Sequence, residues 1–136
     1  MADYFTQFSA MLTTESHEKA LQVHALFNQF VEERLNEDES VGFTVEVQNN
    51  DLYISDTDAN GSPDDVISFF ENFAPKLALT GYFGFEWANT CSKPRLDAFG
   101  GGACVINLAT GECVEVVSTN NWLATKMNLW SIGVGS

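Results

Sequence analysis

Apolar residues of this chain recur with the period of an α-helix in two segments. The first follows Thr14 or Ser16, either of which can cap a helix, and continues for about twenty residues to the polar run at residues 36–40. The second begins at Ser62, where a Ser cap and Pro63 at the first helical position are typical of a helix start. The two apolar stripes are Ala20, Val23, Phe27, Phe30 and Val31, and Val66, Ile67, Phe69, Phe70 and Phe73.

Five other segments alternate between apolar and polar residues, as half-buried strands do. The apolar residues that recur on one side of each segment are Phe43, Val45 and Val47; Leu52 and Ile54; Phe83, Phe85 and Trp87; Cys104, Ile106 and Leu108; Val114 and Val116. Turn residues at 49–51 and 109–111 predict two hairpins, and a long loop is expected from about residue 89 to 102. A short closing helix is expected at about residues 120–130.

The predicted order of helix, two strands, helix, three strands and helix contains no repeated parallel crossover. We therefore expect a single α+β domain over residues 1–136, with the ordered part beginning at the first helix. The expected architecture is a mostly antiparallel sheet of about five strands with the helices packed on one face.

The composition is typical of a globular domain, with 45% hydrophobic residues and eleven Phe among 136 residues. No run approaches the roughly 18 apolar residues of a membrane span, and the N-terminus lacks the pattern of a signal peptide, so a cytoplasmic location is expected. Cys91, Cys104 and Cys113 have no C-x-x-C spacing and are expected to be reduced, mostly buried thiols.

The net charge of −13 lies entirely in the first 75 residues, which carry fifteen acidic residues against Lys19 and Arg34. Residues 76–136 are balanced, with four acidic and four basic residues. Such a field repels nucleic acid and anionic membranes and attracts basic protein surfaces. It predicts a protein partner with a basic surface.

Residues 56–61 match the first half of an EF-hand calcium loop, with Asp56, Asp58 and Asn60 at the first three ligand positions. The twelfth position is Ile67 instead of Glu, which favours a plain turn before a capped helix and leaves weak calcium binding as the alternative. His17 and His24 lack further ligands for a zinc site. No metal and no cofactor are therefore expected.

Catalytic motifs are also missing from the sequence: it contains no nucleophile elbow, P-loop or metalloprotease motif. A Cys–His dyad would need Cys91 to meet one of the two histidines after folding. We expect no catalytic residues and no enzymatic activity.

The predicted loop contains Lys93, Arg95 and Asp97 and ends in three glycines, a combination that could hold an anion. Phosphate cradles normally end at a helix N-terminus, whereas this loop enters a strand. The favoured interpretation is therefore a strained turn or bulge in which Lys93 and Arg95 neutralise nearby carboxylates.

Residues 84–103 read GFEWANTCSKPRLDAFGGGA. This segment resembles small uncharacterised proteins carried by bacteriophages and plasmids, over roughly residues 50–125. The resemblance implies a mobile-element origin and action in the cytoplasm of a bacterial host, and it brings no known catalytic residues. In size and acidity the chain is also similar to DNA-mimicking anti-CRISPR and anti-restriction proteins, which implies inhibition of a defence complex.

Three functions are compatible with the sequence. The first is a non-enzymatic inhibitor whose carboxylates occupy a basic nucleic-acid-binding surface. The expected partner-binding residues are Glu32, Glu33, Glu37, Asp38, Glu39, Asp56, Asp58, Asp64 and Asp65. The second is a small enzyme or anion-binding domain built on residues 93–102. The third is an interaction module, such as a homodimer, with an aromatic face that includes Tyr82, Trp122 or Trp130.

Overall fold

A computed structural model describes residues 3–96 and 98–130. In this part of the chain the elements are, in order, β1 (Tyr4–Gln7), β2 (Ser9–Thr13), α1 (His17–Asn36), β3 (Thr44–Gln48), β4 (Asp51–Ser55), α2 (Pro63–Leu77), β5 (Tyr82–Cys91), β6 (Gly100–Asn107), β7 (Cys113–Ser118) and α3 (Thr119–Leu129). The α+β class is confirmed.

Two antiparallel sheets replace the expected single sheet. One has the strand order β1-β5-β6-β7 and the other β2-β4-β3. The five predicted strands are β3 to β7, but the prediction that order begins at the first helix is wrong, because residues 4–13 form β1 and β2. Only Phe8 separates these two strands, so one extended segment joins both sheets.

The helices α1 and α2 run antiparallel and pack against each other. The ammonium of Lys19, near the start of α1, donates to the carbonyl of Leu77 at the end of α2 (2.7 Å). At the other end of the pair, Arg34 of α1 contacts Asp65 of α2. Ser16 and Ser62 cap the two helices, the second as predicted and the first as one of the two predicted candidates.

Phenylalanine rings fill the space between the two helices and the three-stranded sheet. The rings of Phe27 and Phe43 are 4.9 Å apart, and those of Phe30 and Phe69 are 5.6 Å apart. The buried apolar residues of both sheets, α1 and α2 form one cluster. Burying each such ring stabilises the fold by roughly 1.5–3 kcal/mol, so this cluster fixes the relative positions of α1 and α2.

The loop between β5 and β6 is shorter than predicted, because β5 continues to Cys91 and β6 begins at Gly100. Gly101 and Gly102 lie in the sheet opposite Ala88 and Trp87. A Cβ at Gly102 would meet the Trp87 indole, and one at Gly101 would meet the Trp87 carbonyl. These two glycines are therefore explained by close packing within the sheet and not by an anion cradle.

The predicted closing helix is present as α3, but it does not join the core. None of its residues is buried against the rest of the described chain. It follows β7, which is an edge strand of the four-stranded sheet, and its first residues reach back to β6, where Thr119 donates to the Gly101 carbonyl. The expectation that all helices pack on one sheet face is thus wrong for α3.

Among residues 3–96 and 98–130, no helix has the length and the hydropathy that crossing a membrane would require.

Candidate protein-binding surfaces

The antiparallel pairing of α1 and α2 brings two acidic segments together. Glu37, Asp38 and Glu39 follow the C-terminal end of α1, and Asp64 lies in the first turn of α2. All four side chains are exposed. We call these four residues the acidic junction.

Arg34 lies at the centre of the acidic junction and links its two halves. Its guanidinium is 3.0 Å from the Asp65 carboxylate and 3.4 Å from that of Glu39, and it also stacks over the Phe30 ring. These are the two ion pairs found in the described part of the chain. Since one cation serves both carboxylates, the exposed acids Glu37, Asp38 and Asp64 form no ion pair there.

Asp65 was expected to bind a partner, but the structure gives it a structural role. Its side chain is only 17% exposed, one carboxylate oxygen accepts from Arg34, and the other accepts from the backbone N–H of Gly42 (2.9 Å). Both oxygens are therefore engaged in joining α1, α2 and the segment before β3.

Asp56 is occupied in a similar way. Its two oxygens accept from the backbone N–H groups of Phe8 and Ala59, each at 2.9 Å. The carboxylate thus closes the turn and ties it to the segment that joins β1 and β2. Asp58 is exposed, with a positive φ of 49°, and its carboxylate accepts no hydrogen bond within the described part of the chain.

In the turn at residues 56–61, the Asp56 carboxylate is engaged by the backbone. Asp56 uses both oxygens for backbone amides, and no group of three His, Cys, Asp or Glu side chains in residues 3–96 and 98–130 could hold a metal ion. The ring Nδ1 of His17 lies 2.6 Å from the Asn49 carbonyl at the β3–β4 turn. Cys91, which a Cys–His dyad with either His17 or His24 would require, lies at the end of β5 and pairs with Tyr4 in the four-stranded sheet, whereas both histidines lie on α1.

The carboxylates Glu32, Glu33 and Glu37 occupy positions that do not favour the helix. They lie in or just after the last turns of α1, where the helix dipole is negative and cations are preferred. Asp38 adopts a left-handed backbone conformation (φ 57°) just after the helix, a position that favours glycine. Acids at this end of α1 therefore lower the free energy of unfolding.

A second surface is apolar. The strongly exposed residues of β7 and α3 include Trp122 (61%), Met127 (64%) and Trp130 (60%), and the remaining members are Val116, Val117, Leu123 and Leu129. We call these seven residues the α3–β7 face. An open groove of about 360 Å³ lies between the two elements, lined by residues such as Val117, Trp122 and Lys126. The sequence predicted an aromatic face with Tyr82, Trp122 or Trp130, and the two tryptophans belong to this surface, whereas Tyr82 is exposed at the start of β5. The other five residues were not assigned to a surface from the sequence.

The loop residues Lys93 and Arg95 are exposed, and so is Leu96, at 95%. Neither cation pairs with a carboxylate within the described residues, so the expected neutralisation is not found there. Asp97 lies outside the described residues.

A second groove of about 200 Å³, near Thr14 and Leu79, has Glu15 as its one ionisable lining residue.

The three cysteines differ in their surroundings. Cys104 is buried, whereas Cys91 and Cys113 are partly exposed. Burial, together with a smaller effect of the neighbouring Cys113, raises the pKa of the Cys104 thiol to about 12. Cys104 is therefore a protonated core thiol rather than a nucleophile.

Neither a protein-family model, nor a curated protein, nor a solved structure matches this chain.

Proposed function

We propose that this protein is a non-enzymatic inhibitor that acts in the bacterial cytoplasm. It binds a basic nucleic-acid-binding surface of another protein, such as a defence complex of the anti-CRISPR or anti-restriction target type. The contact surface is the acidic junction, extended along α1 by Glu32 and Glu33 and at the turn by Asp58.

One observation carries this proposal: exposed carboxylates are concentrated at and just beyond the C-terminal end of α1, where Glu32, Glu33, Glu37 and Asp38 do not stabilise the fold. Within residues 3–96 and 98–130, Glu39 is the one of these exposed acids that forms an ion pair, and it shares Arg34 with the partly buried Asp65. Glu32, Glu33 and Glu37 oppose the dipole of α1, and Asp38 holds a left-handed backbone conformation. Local departures from what favours stability are expected at functional sites.

Carboxylates on a rigid scaffold can replace DNA phosphates in a basic channel. Duplex DNA carries a negative charge about every 1.7 Å along its axis, and proteins that bind it neutralise these charges with rows of Lys and Arg. The phenylalanine cluster fixes α1 and α2 relative to each other, so the backbone next to the acidic junction is held in place before binding. A preorganised backbone lowers the ordering cost of association.

Charge reversal on α1 tests the proposal without harming the fold. In the triple variant Glu32→Lys, Glu33→Lys and Glu37→Lys, cations replace acids at the negative end of the helix, so the free energy of unfolding should stay the same or rise. The matched control is Glu46→Lys, Glu86→Lys and Glu112→Lys, which reverses three exposed acids elsewhere in the chain. Both variants change the net charge equally.

The assay uses the immobilised protein in a bacterial lysate at low salt, followed by identification of the retained proteins. A short fluorescent duplex DNA is then titrated against each purified partner. We expect the wild-type protein and the control variant to displace the DNA, and the α1 variant to lose displacement at least tenfold. Equal losses in both variants, or retention of partners that do not bind nucleic acid, would contradict the proposal.

A further inference from the structure

The helix α3 is too short and too weakly packed to be stable by itself. It has eleven residues, whereas isolated helices shorter than about 12–15 residues are marginal in water. Its sequence contains three Asn and two Thr, which are poor helix formers. Because no residue of α3 is buried against the described chain, side-chain packing within that part of the chain contributes little to its stability.

The apolar residues of α3 lie on one side of the helix. Leu123, Met127 and Trp130 follow the i, i+4, i+7 spacing, and Trp122 and Leu129 form a parallel row seven residues apart. Lys126 lies between the two rows, where its aliphatic stem can cover apolar surface while its ammonium reaches water. This pattern is that of a helix built to pack against another apolar element.

The area of the α3–β7 face is that of an interface. Val116 and Val117 point to opposite sides of β7, so only one of them can share a surface with the apolar side of α3. From the exposed fractions, the remaining six side chains leave on the order of 700 Å² accessible. A monomer usually shows patches of only about 300–600 Å², whereas each partner of a standard interface contributes about 800 Å². The patch therefore has the size that a stable dimer needs.

The charge distribution favours a second copy as the occupant. The net charge of −13 lies in residues 1–75, and residues 76–136, which contain the face, are neutral. On the face itself, Lys126 borders the groove and Glu115 is exposed on β7. A twofold axis through the face would let Lys126 of each copy approach Glu115 of the other while the acidic halves point away from each other.

We propose that the protein forms a twofold homodimer through the α3–β7 face. The apolar rows of α3 from each copy pack into the groove between α3 and β7 of the other copy. The interface is isologous, since the groove and the helix that fills it belong to the same surface. The dimer leaves both acidic junctions exposed, and it does not depend on what they bind.

Two exposed residues provide a matched test. Met127 on α3 is 64% exposed and Leu35 on α1 is 63% exposed, so Met127→Glu and Leu35→Glu add the same charge at equally accessible positions. Mass is measured by light scattering after size exclusion at about 100 μM protein. We expect the wild type and Leu35→Glu to run at twice the 15.0 kDa chain mass and Met127→Glu to run as a monomer.

A monomeric wild type would overturn the proposal and assign the face to a different partner. Dissociation of Leu35→Glu as well would also overturn it, because general charge repulsion would then explain both variants. The dimer should tighten with added salt, since salt screens the mutual repulsion of the two acidic copies. Binding at the acidic junction should weaken with salt, so the two proposals fail separately.

Hydrogen exchange of the unmodified protein tests the dimer independently of any variant. We expect the amides of α3 to be protected at 100 μM and to exchange at least tenfold faster after dilution below the dissociation constant. Protection that does not change with concentration would show that α3 is covered within its own chain, which would contradict the proposal.

Discussion

Removing the Asp65 carboxylate should destabilise the protein far more than removing its neighbour Asp64. Asp65 is 17% exposed and Arg34 is 21% exposed, and the carboxylate also accepts from the Gly42 N–H. A hydrogen bond to a charged group contributes about 1.5–3 kcal/mol, and an amide left without a partner adds to the loss. Since water still reaches this pair, we expect Asp65→Ala to cost about 3 kcal/mol in total.

Asp64→Ala is the matched control. Asp64 is exposed and belongs to the same first turn of α2, so its loss removes only the favourable interaction with the helix dipole, about 0.5 kcal/mol. Asp65→Asn should lie between the two variants, because the amide oxygen can still accept one of the hydrogen bonds.

Equilibrium urea unfolding at 25 °C, followed by circular dichroism at 222 nm, measures these differences. The free energy of unfolding of a domain of this size is about 5–15 kcal/mol, so a 3 kcal/mol loss shifts the urea midpoint clearly. If Asp65→Ala and Asp64→Ala agreed within about 0.5 kcal/mol, the structural role assigned to Asp65 would be refuted and it would return to the partner-binding acids.

Three further predictions concern single residues. In urea unfolding, Gly111→Ala should lower the free energy of unfolding by more than about 2 kcal/mol, because φ is +79° and the added Cβ meets the Phe70 carbonyl. The control is Gly84→Ala, whose added Cβ makes only ordinary van der Waals contacts, so its free energy of unfolding should stay within about 1 kcal/mol of that of the wild type. Asp38→Gly should raise the thermal midpoint, since glycine adopts its left-handed conformation (φ 57°) without strain, and an unchanged or lower midpoint would contradict this. Stability should fall between pH 9 and 12, because the unfolded Cys104 thiol ionises near 9.0 and the folded one only near 12; urea unfolding of Cys104→Ala should show a smaller decline than the wild type over this range.

Local signals in the sequence predicted most of the elements. Ser16 and Ser62 cap α1 and α2, and the alternation at residues 43–47 and 52–54 marks a real hairpin. These signals depend on neighbouring residues, so they can be read without the fold. Residues 4–13 carry no such signal, because β1 and β2 are specified by distant partners such as Cys91 and Ser55.

The roles of individual acids required the fold. Asp64 and Asp65 are identical in type and adjacent in sequence, yet only Asp65 faces Arg34, thirty-one positions earlier in the chain. Asp56 likewise was predicted to bind a partner, with weak calcium binding as an alternative, whereas its carboxylate accepts from the backbone of Phe8 and Ala59. Which carboxylates remain available to a partner depends on such long-range hydrogen bonds.

The sequence contains a pattern that indicates an apolar side of α3 but not whether that side is exposed. Leu123, Met127 and Trp130 follow helical spacing in the sequence, but the same pattern is typical of a helix that packs on its own core. Only the exposed fractions distinguish the two cases. An apolar stripe predicts that another apolar element packs on the helix, whereas no part of the described chain packs on this side of α3.

The most direct test of the proposed function is the salt dependence of partner binding through the acidic junction. Affinity for a purified partner is measured by titration at about 50 and 200 mM salt. Contacts that replace several phosphates predict a loss of affinity of about tenfold or more over this range, and the loss should be smaller in the Glu32→Lys, Glu33→Lys, Glu37→Lys variant, which removes three carboxylates of the proposed contact surface. An affinity that stays flat with salt in the wild-type protein would contradict electrostatic mimicry by this surface.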